Sequence, residues 1–202
     1  MNGGLVWLLV ALGLAVVVVR RRSLAVGLVT VQALVLAGAA ADATSGSDAA
    51  AAFALAVRAL ALGALLLFVV SRTREPRPLR AGIAPFARGG LAVLLALSLT
   101  WLIPAFGLDS RNAERGVIAL VAFGAATVAT RRATLFHVVG IVLAENGLAL
   151  AALELPNGSS FAIELGVAFD LTLIALVATV FHERIFAEFG AGDSAALRSL
   201  RD

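Results

Sequence analysis

Hydrophobic residues in this chain come in long unbroken blocks, and polar residues gather in the short stretches between them. Blocks of this kind read as membrane-spanning helices, each needing about 20 apolar residues. The first block is Leu5 to Val19, followed at once by Arg20, Arg21 and Arg22. A signal peptide carries its basic residues in front, so this block is expected to remain as a helix with its N-terminus outside. Leu24 to Ala41 is the second expected helix, with Gln32 near its middle. An acidic link from Asp42 to Asp48 leads to the third, Ala49 to Val70, which carries Arg58 near its centre. The longest link follows, rich in Arg and Pro, and its proline spacing argues against a helix there. Gly89 to Phe106 is the fourth expected helix, bent or ended by Pro104. The fifth, Gly116 to Thr130, is short for a span and is expected to borrow flanking residues. The sixth and seventh lie between Arg131 and Arg184, joined by the turn Pro156-Asn157-Gly158.

Charge on alternate links orients the bundle. One side receives Arg20 to Arg22, the arginines from Arg72 to Arg88, Arg131, Arg132, Arg184, Arg198 and Arg201, while the other receives Arg111 and Arg115. By the positive-inside rule the expected fold is all-α: a polytopic membrane helix bundle of seven transmembrane helices, N-terminus outside and C-terminus cytoplasmic. Residues 1–110 form an N-terminal four-helix part, 111–185 a C-terminal three-helix part, and 186–202 a cytoplasmic tail. A parallel three-helix repeat is a further candidate. Offsets of about 112 and 113 residues lay Arg58 on Asp170, Gln32 on Glu145 and Gly27 on Gly140.

Composition narrows the class. Hydrophobic residues make up 61% of the chain and mean hydropathy is +1.00, outside the range of ordinary soluble domains. All 16 basic residues are Arg. They sit at the ends of apolar blocks and form no basic face with interleaved aromatics, so no nucleic-acid partner is expected. The chain has no Cys, which excludes Cys-ligated Fe–S clusters, Cys-zinc sites and disulfides within it. Its two His residues lie far apart in sequence, and no metal site is expected.

The candidate chemistry lies in acids placed where a lipid-facing helix should have none. The sixth block holds Glu145, and the seventh holds Glu164 and Asp170. An ionised acid at the centre of a membrane helix costs about 2.5–3.5 kcal/mol, so Glu145 and Asp170 together oppose insertion by roughly 5–7 kcal/mol. Pairing, water or a retained proton must offset that. At about 1.5 Å per residue, Glu145, Asp170 and Arg58 each lie roughly 18–21 Å from the arginine-rich ends of their helices. Two readings stand. In one, these groups form a proton path with Gln32, Asn146 and Thr172, and Arg58 tunes the charge. In the other, Arg58 pairs with Asp170 or Glu145 and merely holds the helices together. Glu164 sits in the first turns of its helix, where the dipole favours an acid. His137 lies one turn inside the boundary, suited to passing protons or to packing at the interface. Gly140, Gly147 and Gly166 are expected helix contacts.

The stretches LFHVVGIVLAENGLALAALE, IELGVAFDLTLIALV and HERIFAEFGAGDSAALRSLRD resemble the membrane subunit called hydrogenase-4 component E. That family is related to the K subunit of respiratory complex I and the C subunit of Mrp cation/proton antiporters. The resemblance covers about the last 70 residues, and is carried by Glu145-Asn146-Gly147, by Ile163 to Gly166 with Asp170, and by the tail. It implies a non-redox subunit of an energy-converting [NiFe]-hydrogenase or formate-hydrogenlyase-like complex, in a prokaryotic cytoplasmic membrane. Its partners would be antiporter-like membrane subunits and the membrane anchor of a peripheral hydrogenase arm. The [NiFe] centre and Fe–S clusters would belong to partner subunits, with no cofactor in this chain. Aligned on His182, one intramembrane carboxylate of the K subunit falls on Asp170. Aligned on Gly140 and Asn146, the other falls on Val142, with Glu145 one helical turn along. A subunit of an Mrp-type Na⁺/H⁺ antiporter, of a complex I-like dehydrogenase, or a purely structural membrane subunit are the alternatives.

Overall fold

The computed structural model describes residues 2–43, 49–72, 83–105, 107–108 and 110–155, with positions 174, 175, 178, 179 and 184. The described segments are helical: α1 (Gly3–Val18), α2 (Arg22–Ala43), α3 (Ala49–Arg72), α4 (Pro85–Leu102), α5 (Arg111–Thr130) and α6 (Thr134–Leu153). All but α1 are long and apolar enough to cross a membrane. At 16 residues, α1 is about 24 Å long, against a hydrocarbon layer of about 30 Å. The described part of the chain is thus all-helical, and five of its helices suit a multi-pass membrane protein. The expected seventh helix lies outside the described residues, as do Glu164, Gly166, Asp170 and Thr172.

Local chemistry sets the helix ends. The Asn2 side chain accepts from the Gly4 amide at 3.2 Å and starts α1. The Ser110 hydroxyl accepts from the Ala113 amide at 3.0 Å and starts α5. From there α5 runs through Arg111 to Glu114, the flanking residues its short apolar block had to borrow. Glu114, in that first turn, also accepts from the Gly107 amide at 2.9 Å, where glycine allows a φ of +83°. That closes the loop from α4. Against expectation, α4 begins at Pro85 and ends at Leu102, four residues earlier at each end than the hydrophobic block alone indicates. Pro85 occupies the first helical turn, where its missing N–H is no loss, so this proline starts a helix instead of breaking one. Pro104 lies beyond the helix end.

The centre of the bundle is the α5–α6 pair. Within the spanning windows, 67% of residues are buried in each of these helices, against 28% in α4. Their glycines explain the close fit. A Cβ added at Gly124 would lie 2.5 Å from the Gly140 carbonyl oxygen, and one at Gly140 would lie 2.8 Å from that of Gly124. Gly147 meets Leu120 and the Val117 carbonyl, so the two helices run antiparallel. With water absent on both sides, such backbone approach supplies dispersion contacts that larger residues would prevent. Around this pair, α1 packs on α5, α4 on α5 and α1, α2 on α1 and α6, and α3 on α2. Phe53, Phe86, Trp101 and Leu102 are largely exposed, an outer surface suited to lipid tails. Gly27 and Gly140, matched in the candidate repeat, occupy unlike settings: a Cβ at Gly27 would meet nothing within 4 Å.

Gly124→Ala is expected to destabilise the bundle by about 1–3 kcal/mol, because the new carbon meets backbone that cannot turn aside. Gly38→Ala, where a Cβ has nothing within 4 Å, is expected to leave stability unchanged or slightly raised. Thermal unfolding of both variants in mild detergent, followed by circular dichroism, checks the contrast.

Candidate functional site

A helix buried in hydrocarbon satisfies its own backbone, so each polar side chain it carries must find a partner on a neighbour. Four polar side chains near mid-height do so together. Arg58 on α3 donates through Nη1 to Oε1 of Glu145 on α6. The ion pair is shielded: the side chains keep 3% and 11% of their surface. One residue further along α6, Asn146 donates through Nδ2 to Oε1 of Gln32 on α2 at 2.9 Å. Gln32 in turn donates through Nε2 to the Leu9 carbonyl of α1 at 2.8 Å. Gln32 and Asn146 are fully buried. One polar layer therefore ties α1, α2, α3 and α6.

Depth follows from counting. Glu145 is eleven residues into α6 from Thr134, about 17 Å, and Arg58 is fourteen residues from Arg72, about 21 Å. Both lie well inside their helices, where a lone charge is most costly. Each neutralises the other, and guanidinium–carboxylate hydrogen bonding is among the stronger kinds. Removing one partner from such a buried pair leaves an uncompensated charge, typically about 3–5 kcal/mol. Beside the pair lies a cavity of about 10 Å³ between α2, α3 and α6, lined by Arg58, Asn146 and Thr30 among others. That is close to the roughly 10–15 Å³ needed to admit one water. Asn146 Oδ1, buried and without a hydrogen-bond partner among the described residues, is an acceptor for such a water.

Of the residues singled out from the sequence, Arg58, Glu145, Gln32 and Asn146 come together. His137 does not: it is half-buried in the first turn of α6, eight residues or about 12 Å from Glu145. Glu164 and Asp170 lie outside the described residues. Other buried polar groups were not signalled by the pattern. Arg88, Glu114 and Glu154 are each at least nine-tenths buried although they sit at helix ends, where a charge reads as solvated. Arg131, just beyond α5, donates to the Val17 carbonyl of α1 at 3.1 Å and to that of Val19, and lies over the Phe136 ring.

No family model matches the chain, and no solved structure matches it. The uncharacterized protein Rv0085 of Mycobacterium tuberculosis is similar to it, 31% identical over 91 residues. That match covers 45% of this chain and 41% of the relative, so the chain spans under half the length of the curated protein it matches.

Gln32→Leu removes the link between α1 and α6, leaving the Leu9 carbonyl and the Asn146 amide without it. The expected loss is about 1–3 kcal/mol, the usual penalty for a buried group left unsatisfied. Thermal unfolding in detergent, compared with the exposed-site variant Val31→Leu on the same helix, measures it.

Proposed function

We propose that this chain is a membrane subunit of an energy-converting [NiFe]-hydrogenase or formate-hydrogenlyase-like complex, and that its polar layer carries or relays protons. The observation supporting a relay is the Arg58–Glu145 pair, buried at the depth where charge is most expensive. Arg58 is a fixed positive charge that holds the Glu145 carboxylate by direct contact. An anion arriving at Arg58 would weaken that hold, and Glu145 would then take a proton. Asp170, which residue counting along the sequence puts at a matching depth on the expected seventh helix, would be that anion. The small cavity at Arg58 and Asn146 offers room for a water to carry the proton onward. Glu164 and His137 would stand nearer the two surfaces as entry and exit groups. Seven spans with the C-terminus in the cytoplasm of a prokaryote put the arginine-rich end inside.

The hydrogenase assignment rests on the resemblance of the C-terminal third, and the chain itself would hold no redox centre. Antiporter-like subunits and the anchor of a peripheral arm would be its neighbours. Native-membrane purification decides the setting: nickel and Fe–S proteins should accompany the chain. Their absence, with cation antiporter subunits in their place, would move it to an Mrp-type complex.

The direct contact between Arg58 and Glu145 also suits a purely structural pair, and one comparison separates the roles. Arg58→Met with Glu145→Leu replaces the pair by apolar side chains, a change that buried pairs often tolerate in stability. Complexes carrying both changes are expected to assemble, keep hydrogenase turnover, and lose most proton translocation in inverted vesicles. Full translocation in assembled double-variant complexes would leave the pair a structural fastener.

A further inference from the structure

The arginine-rich end of the bundle holds a second polar site, apart from the mid-height layer. Arg88, in the first turn of α4, is only 1% exposed, and its Nε and Nη2 have no hydrogen-bond partner among the described residues. Arg131 spends one nitrogen on the α1 carbonyls, yet its Nε is buried and likewise unpartnered. Neither arginine forms an ion pair with a described carboxylate. Arg131 is held down to about 10 by burial first, then by the positive charges of Arg88 and Arg20. Three like charges thus share one corner formed by the ends of α1 and α5 and the start of α4. Buried guanidinium groups are normally paired. An anion at this corner would satisfy the unpartnered nitrogens of both arginines.

A groove opens beside it. Between α1 and α4 runs an apolar recess of about 400 Å³, lined by Leu14, Val18, Phe86, Gly89, Gly90 and Val93 among others. Its upper lining residues, Val18 and Gly89, are sequence neighbours of Val19, whose carbonyl Arg131 holds, and of Arg88. Gly89 lets α4 approach Val18, while a Cβ at Gly90 would meet nothing within 4 Å and so faces the open recess. Its volume lies in the roughly 300–1,000 Å³ range of small-molecule sites. The recess is lined by apolar side chains and glycines, and the arginines at its end supply the charge.

We propose that the two together bind one anionic phospholipid, its phosphate on Arg88 and Arg131 and an acyl chain along the α1–α4 groove. Planar guanidinium groups match phosphate oxygens in charge and in paired hydrogen bonds. A soluble anion would leave the groove unexplained, and an apolar helix of a partner protein would leave the arginines unpaired. Arg20, exposed at the rim, adds long-range attraction for an anionic leaflet. The site is independent of the proton-relay reading and needs only the membrane setting.

Native mass spectrometry and thermal unfolding of the full chain in mild detergent test it. Phosphatidylglycerol, phosphatidylcholine with the same acyl chains, and inorganic phosphate are the three probes. One phosphatidylglycerol should be retained and should raise the melting temperature, with little effect from the other two. Arg88→Gln should weaken retention about tenfold, the scale of one lost charge-assisted bond. Gly90→Phe fills the groove from an open position, so it should abolish retention while the lipid-free melting temperature stays near wild type. Equal retention of the zwitterionic lipid, an equal shift from phosphate alone, or retention unchanged in Gly90→Phe would each overturn the site. So would a photo-crosslinker at Leu97 that captures a protein helix instead of lipid in native membranes.

Discussion

Water is absent from the middle of a bilayer, and a charge placed there must be answered by another part of the same protein. In this chain the answer is the contact between Arg58 and Glu145. It joins α3 to a helix that is neither its neighbour in sequence nor its main packing partner. Van der Waals packing alone gives membrane helices many near-equivalent ways to sit together. A buried pair of opposite charges admits few, because sliding either helix by one turn separates the groups by about 5.4 Å. The hydrogen bonds from Asn146 to Gln32 and from Gln32 to the Leu9 carbonyl extend the same constraint to α2 and α1. The register of four helices is therefore fixed by a few polar atoms at one level.

The close backbone contact of Gly124 and Gly140 plays a complementary part. It brings α5 and α6 together over their length and makes a platform on which α1, α2 and α4 rest. Polar contacts choose the arrangement, and small residues allow it to be tight. Both features depend on side chains that hydropathy alone would regard as defects in a membrane helix.

Much of this is legible in the sequence itself. A polar residue inside an apolar block is conspicuous, and the constant rise of a helix converts its position into a depth. Arg58 and Glu145 could be placed at one level by counting alone. Counting could not say that Gln32 would meet Asn146, because these helices are apolar on nearly every face and their facing sides are not marked. The glycine contacts at Gly140 and Gly147 could be expected, but their partners, Gly124 and Leu120, needed the fold. Charges at helix ends were the least legible. Arg88 and Arg131 serve the topology rule equally well whether they point into water or into the protein, so their burial left no trace in the pattern. Pro85 misled for a similar reason: a proline signals a break or a beginning, and only the neighbouring turn distinguishes them.

Since α6 is pressed against α5 backbone to backbone, Glu145 rides on the most tightly packed pair of the described helices. Arg58 belongs to α3, whose principal packing among the described residues is with α2 alone and whose outer face carries Phe53 and Phe68 toward lipid. Among the described helices, a separation of the two charges would then be carried mainly by the cation. Bilayer thickness and tension, which act on outer helices first, would bear directly on the strength of that contact.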